Sequence, residues 1–411
     1  DDWGLMESIL ESIFTDPSTP LIWERGQTSV NRAYKDIISG KRHSFLKGNA
    51  EIAIQALFFL RLYAFTKPTF LLFPSTPHTI KSWVRLKTAE QLGIPTLILN
   101  RCGVDGFYRI SERNGRKEKD ITIGPVTSEQ ATFHNKRLNE IAKNTKASYA
   151  EAQPDYERVR FEKNRGDFLR YLQVLRKHWY APTRAINTFA CWRQLTRLSR
   201  SFHYHRDQRY AIFFLHYQPE RTTVPDGDLF GSQINAIIAL RGTLPEDCKV
   251  LIKEHPSTFT NACQSVARDP DFYSRIASIT DVEFIDMETD NFDLIDSAIL
   301  TATITGTVAR ESLIRGTPVV VFGKSFLTAS EGCFNYQESM GFEHFIKRVA
   351  NGEFCRNDIS VQAIAAMDSQ KSNAFYSHRT SENGAILDGL KTIVHRGISF
   401  RGHMLTIADK G

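Results

Sequence analysis

Short apolar runs closed by small polar clusters recur along this chain, and between them apolar residues return every three or four positions. Runs of four to six apolar residues predict strands and the longer period predicts amphipathic helices, so their alternation predicts an α/β protein. The pattern is clearest in residues 211–257. Residues 211–215 and 249–253 read as strands, with a helix over 232–240 between them. Each strand run is followed by a polar cluster, Gln218-Pro219-Glu220 after the first and Glu254-His255-Pro256 after the second. In a parallel sheet both clusters lie at carboxyl ends of strands, the edge where open α/β sheets bind ligands.

The alternation continues through a helix over 261–278, strand 282–285, helix 292–297, strand 299–304, the turn Thr305-Gly306-Thr307, helix 308–315 and strand 319–322. This predicts a doubly wound parallel sheet over residues 208–357. Toward the amino end, strand 69–73, helix 79–92 and strand 94–99 form a βαβ unit, so residues 1–155 read as a first Rossmann-like domain. Within it, 3–14 reads as a short amphipathic helix, 50–65 as a buried helix, and the charged stretch 110–120 as a solvated loop or hairpin. Residues 156–207 are a basic helical linker in which arginines and lysines interleave with aromatics, with amphipathic periodicity over 168–179 and 186–202. The tail, 358–411, carries helical patterns and is expected to cross back toward the first domain.

Composition narrows the functional classes. The 411 residues, 41% hydrophobic and 24% charged, suffice for two domains with cores of their own. A net charge of +6 suits an anionic ligand or a membrane surface without requiring nucleic acid. The six cysteines form no CxxC pair, which argues against a zinc ribbon or disulfide scaffold and fits a reducing cytoplasm. No apolar run reaches the roughly 18 residues of a membrane span. The chain begins Asp1-Asp2, without Met or a signal-like region, and is expected to be trimmed or one module of a longer protein.

Candidate chemistry gathers at the predicted strand ends. His255, fixed by the following Pro256, is placed to present a ring nitrogen to a phosphate or carboxylate. Glu220, rigidified by Pro219, is the leading carboxylate for a nucleophile or general base, with Asp226 and Asp228 of the VPDGD loop as rivals. Thr305, Gly306 and Thr307 open a helix after a strand and offer amides and hydroxyls to an anion, although a plain helix cap uses the same residues. Glu311 reaches either a ribose diol or Arg315 one turn on. In the first domain, Thr76 and His78 close strand 69–73 and are candidates for substrate contact. There is no G-x-G-x-x-G for a dinucleotide and no strand-end DxD for a metal, so no cofactor and no metal are expected.

The segments LHYQPERTT, KEHPSTF and TDNFDLIDSAILTATITGTVARESLIRGTPVVVFG resemble the bacterial capsule and surface-polysaccharide biosynthesis proteins that include the β-Kdo (3-deoxy-D-manno-oct-2-ulosonic acid) glycosyltransferases. The likeness covers residues 210–326, with a further similarity at TPH and GIPTLIL near 69–100. It implies two Rossmann-like domains in a GT-B-like arrangement, an active site in the interdomain cleft, and an acceptor-side first domain contacting the acceptor through Thr76 and His78. The implied reaction moves Kdo from CMP-Kdo to a glycan or glycolipid acceptor in capsule, O-antigen or lipopolysaccharide synthesis, without a metal. The resemblance assigns the nucleophile to Glu220 with Asp226 in reserve, and leaving-group assistance to His255. Donor contacts fall on Gln218, Lys253, Glu254, Pro256, Ser257, Thr305, Gly306, Thr307 and Glu311. Retaining members use Asp where Glu220 stands, so an inverting, sialyltransferase-like transfer of another CMP-nonulosonic acid is the runner-up, followed by a glycan-binding or export-linked protein without catalysis. The expected location is the cytoplasm, with peripheral contact to the inner membrane through the basic helical region.

Overall fold

The computed structural model describes residues 2–16, 19, 42–115, 117–152, 182–200, 208–216, 223–259, 268, 270–327, 330–337, 340–377, 382–395, 399–400 and 403–404. The chain forms two compact units, residues 1–139 with 367–411, and residues 140–366. Both are α/β, the fold class of paired Rossmann-like domains that the sequence predicts. The expected helix at 168–179 and the residues Gln218 and Glu220 lie outside the described residues.

In the first unit, helices α1 (Asp2–Phe14) and α2 (Arg42–Thr66) accompany a βαβ core of β1 (Leu71–Phe73), α3 (Ile80–Gln91) and β2 (Thr96–Arg101). Helix α3 starts sharply because Thr79 and Ser82 cap each other's backbone amides, and it stops at Gly93, whose φ of +67° an L side chain adopts only with strain. β1 and β2 pair in parallel, with Phe73 opposite Ile98. The charged stretch is a hairpin. β3 (Phe107–Asn114) runs antiparallel to β2, and β4 (Lys117–Asp120) turns back on β3 with Arg113 3.3 Å from Glu118. The returning strand Phe375–Tyr376 pairs with the start of β3. This sheet is therefore Rossmann-like at its βαβ unit and antiparallel beyond it.

Helix α2 corrects the expectation of a buried helix. Ile52, Ala56, Phe59, Leu60 and Tyr63 are buried, whereas Ile54, Phe58 and Phe65 are 68%, 57% and 88% exposed. The helix is apolar on both faces and only one of them packs, which periodicity alone does not reveal.

Among the described residues the second unit holds six strands, all parallel: β5 (Tyr210–Phe214), β6 (Lys249–Lys253), β7 (Val282–Ile285), β8 (Leu300–Thr303), β9 (Val319–Val321) and β10 (Cys333–Asn335). Their spatial order is β10-β9-β8-β5-β6-β7. Numbered along the chain within the unit and read from β7, this is 3-2-1-4-5-6, the order of the dinucleotide-binding Rossmann fold. Every residue of β5, β8 and β9 is buried, as a sheet covered on both faces requires. Phe213, Ile252, Ala302, Val320 and Phe322 fill one side of the core. Each fully buried large apolar side chain there contributes about 1.5–3 kcal/mol. Of the basic linker, helix α4 (Pro182–Arg200) turns Cys191 and Leu195 into this core and leaves Arg193 and Arg197 exposed. Its basic outer face matches the predicted amphipathicity.

Candidate functional site

The direction of winding reverses between β5 and β8, and ligands of open α/β sheets bind beyond the carboxyl ends of the strands at such a switch point. The residue that leaves β5 there is His216, which is 7% exposed. Its backbone is locked by Gln233, the first residue of α5 (Gln233–Thr243). The Gln233 side chain accepts from the His216 amide at 2.7 Å and donates to its carbonyl at 3.1 Å. The His216 ring reaches across to the exit of β8. Thr305 N–H donates to Nε2 at 3.2 Å, and the Thr303 hydroxyl is 3.0 Å from the same nitrogen. A backbone amide only donates, so Nε2 is the acceptor and the ring proton of the neutral imidazole sits on Nδ1.

Three loops converge on this edge, and glycines let their backbones meet. A Cβ on Gly306 would lie 2.8 Å from Thr303 Oγ1, one on Gly227 2.4 Å from the Thr223 carbonyl, and one on Gly323 2.5 Å from Thr305 Cγ2. Lys324 N–H donates to the Asp226 carbonyl at 3.2 Å, and Gln337 Nε2 to the carbonyls of Gly227 and Phe322 at 2.9 Å each. Asp226 is thus part of the converging loops and buried at 8% exposure.

The Thr305-Gly306-Thr307 turn lies where the sequence predicts, before α8 (Val308–Ile314), but its amides are partly committed. Thr305 N–H serves His216, and Gly306 N–H donates to Thr303 Oγ1 at 3.3 Å. An anion at this turn would meet the later amides and the Thr307 side chain, which makes no capping bond. Glu311 sits in the first turn of α8. Its alternative partner Arg315 instead engages Asp296 and donates to the Thr145 carbonyl at 2.7 Å.

At the exit of β6 the predicted donor contacts divide. His255 is half-buried at the edge, its amide bound to Glu254 Oε1 at 2.8 Å. Pro256 and Ser257 begin a short helical turn, Pro256–Phe259. Glu254 and Lys253, both expected as donor contacts, turn inward. Glu254 has no exposed surface, and its carboxylate is filled by Arg268 Nε at 3.1 Å, the hydroxyl of Tyr273 on α6 (Pro270–Ala277) at 2.8 Å, the Thr258 hydroxyl at 3.0 Å and the His255 amide. Burial, reinforced by that carboxylate, holds the Tyr273 hydroxyl well above its usual pKa, so it remains a donor. The Lys253 amine binds the Thr289 carbonyl and Asn291 Oδ1, stapling β6 to the start of α7 (Asn291–Ser297), and burial pushes its pKa down to about 8.

In the first unit, Thr76 is buried and its carbonyl lies 3.0 Å from His78 Nδ1, just ahead of the capped start of α3. Among the described residues no cluster of His, Cys, Asp and Glu has the makings of a metal site, and no helix is long and apolar enough to cross a membrane.

Sequence reasoning missed His216, Thr303, Gln233 and Arg268. His216 carried a usable signal as the first polar residue after a strand, two positions before Gln218. Thr303 lies within an apolar strand and Arg268 in a polar run, and neither position distinguishes itself without the fold.

No family model and no curated protein matches the chain. Among solved structures it is similar to the β-Kdo 2,7 transferase KpsC of Thermosulfurimonas dismutans, at 11% identity over 72% of this chain and 78% of that one, with a TM-score of 0.32. The β-Kdo 2,4 transferase KpsC of the same organism aligns at 14% identity over 69% and 76%, also with a TM-score of 0.32. The UDP-GlcNAc 2-epimerase of Methanocaldococcus jannaschii aligns at 13% identity over 84% and 82%, with a TM-score of 0.23. The strand order 3-2-1-4-5-6 by itself places the second unit in the Rossmann fold class.

Proposed function

We propose that the chain is a glycosyltransferase that moves Kdo from CMP-Kdo to a glycan or glycolipid acceptor in surface-polysaccharide synthesis, with retention of anomeric configuration. The observation that carries this reading is the 3-2-1-4-5-6 parallel sheet whose switch point gathers His216, Thr303 and the Thr305–Thr307 turn, with His255 one strand away. A CMP-keto sugar presents a phosphate and a carboxylate to that edge, where the later amides of the turn before α8 favour an anion. Glu220, with Asp226 in reserve, attacks the anomeric carbon while the bond from that carbon to the phosphate oxygen breaks and CMP leaves, assisted by His255. An acceptor hydroxyl then displaces the carboxylate, its proton passing to a base or to solvent. Thr76 and His78 serve the acceptor. The protein works in the cytoplasm, and the basic region of residues 156–207 contacts the inner membrane.

The test is turnover of CMP-Kdo with a panel of glycan acceptors, read as CMP release and as anomeric configuration by NMR. Release that depends on acceptor and is lost in Glu220→Gln and His255→Ala supports the proposal. Inverted product, or turnover with a different CMP-nonulosonic acid alone, selects the sialyltransferase-like reading, and glycan binding without CMP affinity selects the non-catalytic one.

A further inference from the structure

The backbone ladder between β5 and β6 ends with Leu215 N–H donating to the Lys253 carbonyl at 2.9 Å. The next residues on either side lead to the two histidines of the proposed donor site, and a side chain continues the pairing beyond that point. Arg268, 2% exposed, donates from Nη2 to the His216 carbonyl at 2.7 Å and from Nε to Glu254 Oε2 at 3.1 Å, with Nη2 also 3.4 Å from Glu254 Oε1. The same Oε1 accepts the His255 amide at 2.8 Å. The guanidinium stacks 4.1 Å above the Phe272 ring, and the Tyr273 hydroxyl completes the Glu254 carboxylate. One planar cation therefore holds the carbonyl of one histidine directly and the amide of the other through a carboxylate.

A buried ion pair is weak evidence for stability, because desolvation offsets much of its attraction. What this pair provides is geometry. The guanidinium fork engages two acceptors in a fixed plane, whereas a lysine ammonium is a single point charge. We propose that Arg268 is a positioning residue that sets the spacing and orientation of His216 and His255 across the β5 and β6 exits. The inference rests on the donor-site reading above but does not depend on which sugar the donor carries.

Nitrogen NMR of histidine-labelled full chain tests it, with the two rings assigned by loss of signal in His216→Gln and His255→Gln. In Arg268→Lys both ring signatures are expected to move, His216 losing the shift of an acceptor Nε2, while kcat for CMP release falls on the order of 100-fold with KM little changed. If Arg268→Lys does not fold, the double variant Arg268→Met with Glu254→Met, which leaves no orphaned charge, gives the same readout. Unchanged signals for either ring in a folded variant overturn the proposal. Absence of CMP-sugar turnover in the unmodified protein would defeat the proposed function instead, and the ring signals would still decide the role of Arg268.

Discussion

Lys253 and Glu254 follow one another at the end of β6, and both spend their charge inside the protein. For Lys253 this has a signed consequence. Burial lowers its folded pKa from 10.5 to about 8, so between those values the unfolded chain binds a proton that the folded chain has released. Stability contributed by this group therefore rises as pH increases from about 8 to 10.5. The gain is expected to be on the order of 3 kcal/mol. Urea midpoints at alkaline pH, compared between the natural protein and Lys253→Met, isolate it: the variant should lack the rise, and equal slopes would contradict the assignment. Gly306 gives a second expectation at this scale. Its missing Cβ leaves room for Thr303 Oγ1, which also approaches His216. Gly306→Ala should cost about 1–3 kcal/mol and weaken CMP binding, checked by thermal unfolding and calorimetry.

Helix α2 shows what periodicity reveals about an element and what it omits. The three-and-four spacing over 50–65 marks a helix correctly, but apolar residues on both faces conceal which face packs. Phe58→Ser and Phe65→Ser should therefore change stability by less than about 0.5 kcal/mol, whereas Phe59→Ala should cost about 3–5 kcal/mol. Denaturant unfolding of the three variants distinguishes them, and a large loss at Phe65 would contradict its exposure. The strands of the second unit were legible because fully buried parallel strands are short unbroken apolar runs, and the turn after β8 was legible from its Thr-Gly-Thr. The inward turn of Lys253 and Glu254 was not, since their partners Asn291, Arg268 and Tyr273 lie 14 to 38 residues away in the chain.

On the scale of the whole molecule, local pattern predicts α/β alternation, while strand order is set by long-range pairing that no local pattern contains. That order is what makes His216 a candidate site residue: the β5–β8 neighbourhood brings it to Thr303, 87 positions later. Burial across both units also sets thiol chemistry. It raises the Cys102 pKa to about 12 and that of Cys248 to about 11, while Cys355 is exposed. Alkylation of the folded protein near pH 8, mapped by peptide mass, should label Cys355 and spare Cys102 and Cys248 until denaturant is added. The carboxyl edge of the six-stranded sheet is proposed here as the nucleotide site. A crystal soaked with CMP tests it most directly. Density for the nucleotide against His216, His255 and the Thr305–Thr307 turn is the predicted result, and nucleotide bound at the opposite edge of the sheet, or nowhere on this unit, would contradict it.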